Sequence, residues 1–127
     1  MRDIESRRDI EQLVDLFYSK VVKDDILGPY FNDKNVMDWD KHIPVMYNFW
    51  ESILLDNPKY QGNPMLKHLD VHKIKPIKKE HFIRWLALWE QSTDELFKGE
   101  VASEAVSRAK SIGELMQYKI DQLNTRS

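Results

Sequence analysis

Tyr18, His42 and Trp85 each place a polar atom on the apolar face of a different periodic segment of this 127-residue chain. A phenol O–H, an imidazole and an indole N–H all need partners when buried. Taken singly, each is an ordinary core aromatic that buries its ring and bonds a backbone carbonyl or water. Three of them on separate helices mean more if those helices converge. They would then line a pocket of large apolar groups with a few inward polar atoms, which is the composition of a cofactor or small-molecule site. The other histidines offer a second chemistry. His68 and His72 are four apart and share a face if one helix runs through both; with His42 they would form a three-His zinc site. Against that reading, Asp70 and the loop-like residues after it interrupt the helix, and no carboxylate sits at a familiar metal-ligand spacing. His81 stands at the start of a helix and is expected to be exposed.

The elements that must carry these groups are helical. Ile10, Leu13, Val14, Phe17, Tyr18 and Val21 recur at the spacing of one helix face, with Ser6 and Asp9 placed to cap its start. Gly28-Pro29 ends or redirects the chain beyond it. His42, Val45, Met46, Phe49, Trp50, Ile53 and Leu54 mark a second helix, with Asp38 as N-cap and Asp56-Asn57-Pro58 as its stop. Pro44 either occupies its first turn or kinks it. Asn63 and Pro64 open a short helix from Met65 to Leu69, and residues 70–78 lack periodicity and read as a loop. A third long helix runs from about Lys79 to Phe97 on the face of Phe82, Trp85, Leu86, Trp89 and Leu96, and Gly99 closes it. The last helix carries Val101, Ala102, Ala105, Ala109, Ile112, Met116, Ile120 and Leu123. No segment alternates at period two, so the fold class is all-α, expected as a single domain over residues 1–127.

Composition narrows the function. Apolar residues make up 42% of the chain, enough for a packed core, and a net charge of −2 gives no basic footprint for nucleic acid. The absence of cysteine removes disulfides, thiolate metal sites, iron–sulfur clusters and a cysteine nucleophile. Residues 1–12 are dense in charge and unlike a secretory signal, and the longest apolar run, Trp85 to Trp89, is far too short to cross a bilayer. A cytoplasmic protein without a membrane partner is the expectation. Four Trp, five Tyr and five Phe are a heavy aromatic load for a chain of this size.

The order of these features resembles the truncated haemoglobins, most closely their third group. The resemblance spans roughly residues 10–118 and rests on an ordered set of short pieces. These are Phe17-Tyr18, then Leu27-Gly28-Pro29-Tyr30-Phe31-Asn32, then His42 followed by Phe49-Trp50. Tyr60, Gly62-Asn63-Pro64, Lys67-His68-Leu69, His81-Phe82-Ile83-Arg84-Trp85-Leu86 and Arg108-Ala109 complete it. The other truncated-globin groups carry paired glycines, and this chain has no Gly-Gly.

The resemblance implies a truncated globin fold, with helices sandwiched two over two around one haem b (iron protoporphyrin IX). It implies that His68 is the proximal iron ligand and that Phe31 wedges against the porphyrin. Tyr18 and Trp85 become distal hydrogen-bond donors, His42 stands at the distal entrance, Met46 lines the distal wall, Trp50 is the bulky aromatic of the same helix, and Lys67 pairs with a haem propionate. The stretch between His68 and Trp85 is longer than in many relatives, with Lys73 to Lys78 reading as an insertion, so His72 stays a rival proximal ligand. His68 is preferred because it lies in the capped stretch after Pro64 and because its Lys-His-Leu context matches the family. A five-coordinate ferrous haem binds O2, NO or CO, and donors aimed at the charge on bound oxygen slow its release. The implied activities are oxygen or nitric oxide handling, including nitric oxide dioxygenation, and peroxidase-like redox chemistry, with a reductase as partner. Two other readings stay open on the residues: a haem-free helical interaction module whose aromatics simply form core, and the three-His zinc protein.

Overall fold

The computed structural model describes the backbone of residues 1–31, 39–55 and 78–126, and the side chains of residues 1–29, 40–55 and 78–122. Among the described residues five helices follow in order: α1 (Arg7–Val21), α2 (Gly28–Phe31), α3 (Trp39–Leu54), α4 (Lys79–Leu96) and α5 (Glu100–Arg126). There is no strand among the described residues. The four long helices pack in a closed ring, α1 on α3, α3 on α5, α5 on α4 and α4 on α1. The expected short helix over Met65–Leu69 and the Asp38 cap lie outside the described residues.

The starts of α1 and α5 are each capped by an aspartate from the N-terminal segment or first turn. At α1 the Asp9 carboxylate reaches back to accept the backbone N–H of Ser6 at 3.3 Å and of Glu5 at 2.9 Å. It also binds the Arg2 guanidinium, whose hydrogen bond, with the two amides, outweighs burial and holds the carboxyl down at about 2. At α5 the cap comes from the far end of the chain. Asp3 accepts the N–H of Val101 at 2.9 Å and of Ala102 at 2.8 Å, satisfying two orphan donors of the first turn. Burial alone would raise the Asp3 carboxyl, but these amides and that of Ile4 hold it low.

One expectation changes here and two are narrowed. Gly99 does not end α4, which closes at Phe97 in extended backbone. Gly99 instead has φ +149°, and a Cβ there would sit 2.7 Å from the Asp3 Cβ, so glycine makes room for the acid that caps α5. Gly28-Pro29 does not only end a segment; it opens the single turn of α2. Pro44 lies inside α3, beyond the first turn, where it has no N–H to give back to the carbonyl of Asp40.

The core sits where α4 meets α1, α3 and α5. Trp89 and Phe17 are almost wholly buried, with ring centroids 5.1 Å apart edge to face. Trp89 also stacks on Trp50 at 4.4 Å. Ala102, Ala105 and Ala109 present only methyl groups along α5, which lets Trp89 Nε1–H donate to the Ala105 carbonyl at 3.1 Å. The indole therefore carries no unsatisfied donor into the core.

Candidate functional site

All four long helices contribute to one cavity. It is lined by Phe17 and Tyr18 of α1, Met46, Phe49 and Trp50 of α3, Trp85 and Trp89 of α4, and Ile112 and Met116 of α5. The space between these side chains, open solvent at the mouth included, is about 390 Å³. Every lining side chain is apolar or aromatic, and the N–H and O–H donors among them are the Tyr18 hydroxyl and the indole nitrogens of Trp50, Trp85 and Trp89. Trp89 has spent its N–H on Ala105. That leaves the O–H of Tyr18 and the N–H groups of Trp50 and Trp85, of which Trp50 lies deeper, stacked on Trp89 at 4.4 Å and 4% exposed.

Tyr18 is placed by helical periodicity. It follows Phe17 on the buried face of α1, and the two rings meet at 4.9 Å edge to face. Its hydroxyl lies 2.9 Å from His42 Nε2. With the imidazole proton on Nδ1, the phenol donates and the imidazole accepts. Burial raises the Tyr18 phenol well above its ordinary range, so it keeps its proton and stays a donor. The His42 ring stands edge to face with it at 5.4 Å. Thus α3 delivers His42 to the phenol and Met46, one turn on, to the cavity wall.

The orientation of α3 is set by polar ties to α1. Arg7 donates to Asn48 at 2.8 Å and pairs with the buried Glu51 at 3.4 Å. Tyr47 donates to the Asp15 carboxylate, and burial together with that bond pushes the Tyr47 phenol upward. These contacts fix the face of α3 opposite the pocket, so Met46, Phe49 and Trp50 point inward.

Trp85 comes from α4. Its ring lies 6.1 Å from Phe17, edge to face, and is half-buried. Among the described residues, no hydrogen-bond partner meets its Nε1–H. Gly113 of α5 stands behind the ring, where a Cβ would be 3.7 Å from Trp85 Cζ3.

The sequence-predicted residues therefore divide into two sets. Tyr18, His42, Trp85, Met46 and Trp50 are brought together around one cavity. The Phe31 side chain and the residues Lys67, His68 and His72 lie outside the described residues. Among the described residues no cluster of three His, Asp or Glu suits a metal ion. His81 corrects its expectation. Its side chain is only 12% exposed, and its Nδ1 accepts the Lys78 backbone N–H at 2.7 Å, capping α4. Burial lowers the imidazole below its ordinary range, which keeps Nδ1 free to accept. Sequence inspection missed Ile112 and Met116 as pocket residues, although both fall on the apolar face read for the last helix.

A ring of four helices closed on an aromatic cavity, with a tyrosine and a tryptophan in its lining and a histidine bonded to the tyrosine, is the arrangement of a truncated globin. Comparison with known proteins agrees. Residues 3–118 match the bacterial-like globin family. The chain is 35% identical over 115 residues to the Group 3 truncated hemoglobin of Campylobacter jejuni, covering 88% of each protein. The crystal structure of the group III truncated hemoglobin from Campylobacter jejuni superposes with a TM-score of 0.82 at 34% identity, covering 94% of this chain and 95% of that one. The chain belongs to the bacterial-like globin family, and its fold is that of the group III truncated haemoglobins. No helix among the described residues is long and apolar enough to cross a membrane.

Proposed function

We propose that this globin holds one haem b in the aromatic cavity, with His68 as its proximal ligand, and handles a diatomic gas there. The observation that carries the reading is the convergence of the Tyr18 hydroxyl and the Trp85 indole on one apolar cavity. The residues present fit the group: flat aromatic walls suit a porphyrin, and no charged described side chain lines the cavity. When bound, haem with one axial imidazole supplies an iron with an open position for O2, NO or CO. Phe31 packs against the porphyrin and Lys67 meets a propionate in this reading.

The chain's own groups do the rest. Tyr18 O–H and Trp85 Nε1–H donate to a ligand that gathers negative charge, and apolar walls strengthen those bonds by excluding water. His42 holds the phenol until a ligand arrives. Each bond to a charged acceptor contributes about 1.5–3 kcal/mol, or about tenfold and more in ligand release. A gas held this firmly suits reaction with a second substrate better than transport. Nitric oxide is that substrate here: its oxidation to nitrate by O2 takes up one electron, which a reductase must supply.

The test is direct. The purified protein should be red with a strong Soret band, whereas an interaction module or a zinc protein would be colourless and stay so after haem addition. His68→Ala should lose haem or the five-coordinate ferrous spectrum, while His72→Ala keeps both; the opposite outcome assigns the iron to His72. Oxygen-saturated protein mixed with nitric oxide should give nitrate rapidly, and failure to do so removes the dioxygenase reading.

A further inference from the structure

Asp24 sits just past the end of α1 and gathers donors from two directions. Its Oδ2 accepts the backbone N–H of Ile26 at 3.1 Å and of Leu27 at 3.0 Å, while its own carbonyl accepts from Gly28 N–H at 2.8 Å. These bonds shape the corner that leads into α2. Its Oδ1 accepts from Arg84 Nε at 2.6 Å. The Asp24 side chain is 5% exposed and that of Arg84 45%, so the pair is anchored at its carboxylate end while the guanidinium reaches it from the surface. Burial would raise the carboxyl, but Arg84 and the two amides hold it low and ionised.

Arg84 immediately precedes Trp85. Successive side chains on a helix diverge by about 100°, so anchoring Arg84 to the corner fixes the rotation of α4 at the turn that carries Trp85. One turn on, Trp89 holds the buried face of α4 through Ala105 and Trp50, and Arg84 holds the opposite, outer side at the turn of Trp85. On the α5 side the ring meets Gly113, which has no side chain to press on it. The ion pair that joins α1 itself to α4, Lys20–Glu95 at 2.9 Å, lies about three turns further along α4.

We propose that Arg84, through its ion pair with Asp24, is the positioning residue that aims the Trp85 indole into the pocket and couples that aim to the α1–α2 corner. The inference rests on the reading of Trp85 as a ligand donor, and its test separates the two. Full-length protein labelled with 5-fluorotryptophan gives one fluorine resonance per indole, and Trp85→Phe assigns its own. In Arg84→Met and in Asp24→Asn the Trp85 resonance should shift or broaden while those of Trp50 and Trp89 stay. Lys20→Met should leave all of them in place. The double variant should do no more than either single one, because both remove the same tie. A Trp85 resonance unmoved in Arg84→Met, or all resonances moving together as the fold loosens, overturns the proposal.

The same variants are then read as ferrous carbonyl complexes by infrared spectroscopy. The ratio of hydrogen-bonded to free C–O stretching bands should fall about threefold, since the donor remains but loses alignment. If the fluorine resonance moves and the bands do not, Arg84 still positions Trp85, and it is the donor role of Trp85 that fails.

Discussion

Replacing Trp85 by Phe keeps an aromatic ring beside Phe17 and removes only the indole N–H and the outer ring. If both groups donate to the ligand as proposed, this loss ranks above that of the Tyr18 hydroxyl. Tyr18 is already bonded to His42 at 2.9 Å, so donating to a ligand means giving up a neutral bond of about 1 kcal/mol. A charge-assisted bond of about 1.5–3 kcal/mol then nets about 0.5–2 kcal/mol, so Tyr18→Phe should speed oxygen release by about two- to thirtyfold. Trp85 breaks no protein bond among the described residues, so it delivers the whole increment. Trp85→Phe should speed release by about ten- to a hundredfold. The assay is stopped-flow oxygen dissociation from the ferrous protein, with carbon monoxide release as control. Carbon monoxide carries little charge and feels mainly the space vacated by the larger ring. Equal acceleration of both gases would show that volume rather than hydrogen bonding decides the rate, and a larger effect from Tyr18→Phe would refute the ranking.

Other consequences follow from the scaffold. Asp9 is held at about 2 against an ordinary 3.8, so it contributes stability above pH 4 or so that is lost as pH falls toward 2. Urea unfolding across that window should show a loss of about 2 kcal/mol, reduced by the exposure of Arg2, and Asp9→Asn should flatten most of that limb. Asp3→Ala removes two backbone bonds at the start of α5 and should cost about 1–2 kcal/mol in a urea titration without changing ligand release. Gly113→Ala meets Trp85 at ordinary contact distance and replaces glycine within a helix. Its melting temperature should rise, by about 1 kcal/mol in stability; a fall would show that the ring needs the empty space.

What the chain discloses to inspection is what has a short period. The faces of α1, α3, α4 and α5 follow from apolar spacing, and Tyr18, His42 and Trp85 stand out because each interrupts such a face with a polar atom. Their convergence is real: two line the cavity and the third bonds one of them. The contacts that sequence inspection missed are long-range. Nothing near Val101 announces that Asp3 will cap it, and no local pattern links Asp24 to Arg84. Gly99 shows the cost of a local rule. A glycine after a helical run reads as a helix stop, but its φ and its closeness to Asp3 belong to the next helix. His81 failed for a similar reason, since a histidine at a helix start can cap that start and be covered in doing so.

The polar ties share a placement that bears on function. Arg7–Glu51, Tyr47–Asp15, Lys20–Glu95 and Asp24–Arg84, the ties that involve a charged group, all run between elements outside the cavity, whereas its lining is held by ring packing and by the neutral bonds Tyr18–His42 and Trp89–Ala105. Charged anchors inside would compete for a ligand, and they would cost desolvation energy that only close pairing repays. Outside, they set the angles of α3 and α4 without touching the guest. A pocket assembled from four helices has no local unit that could fold with its donors already in place. The aim of Tyr18 and Trp85 is therefore a property of the whole packing, and substitutions well away from the cavity should tune ligand release through the helices they anchor.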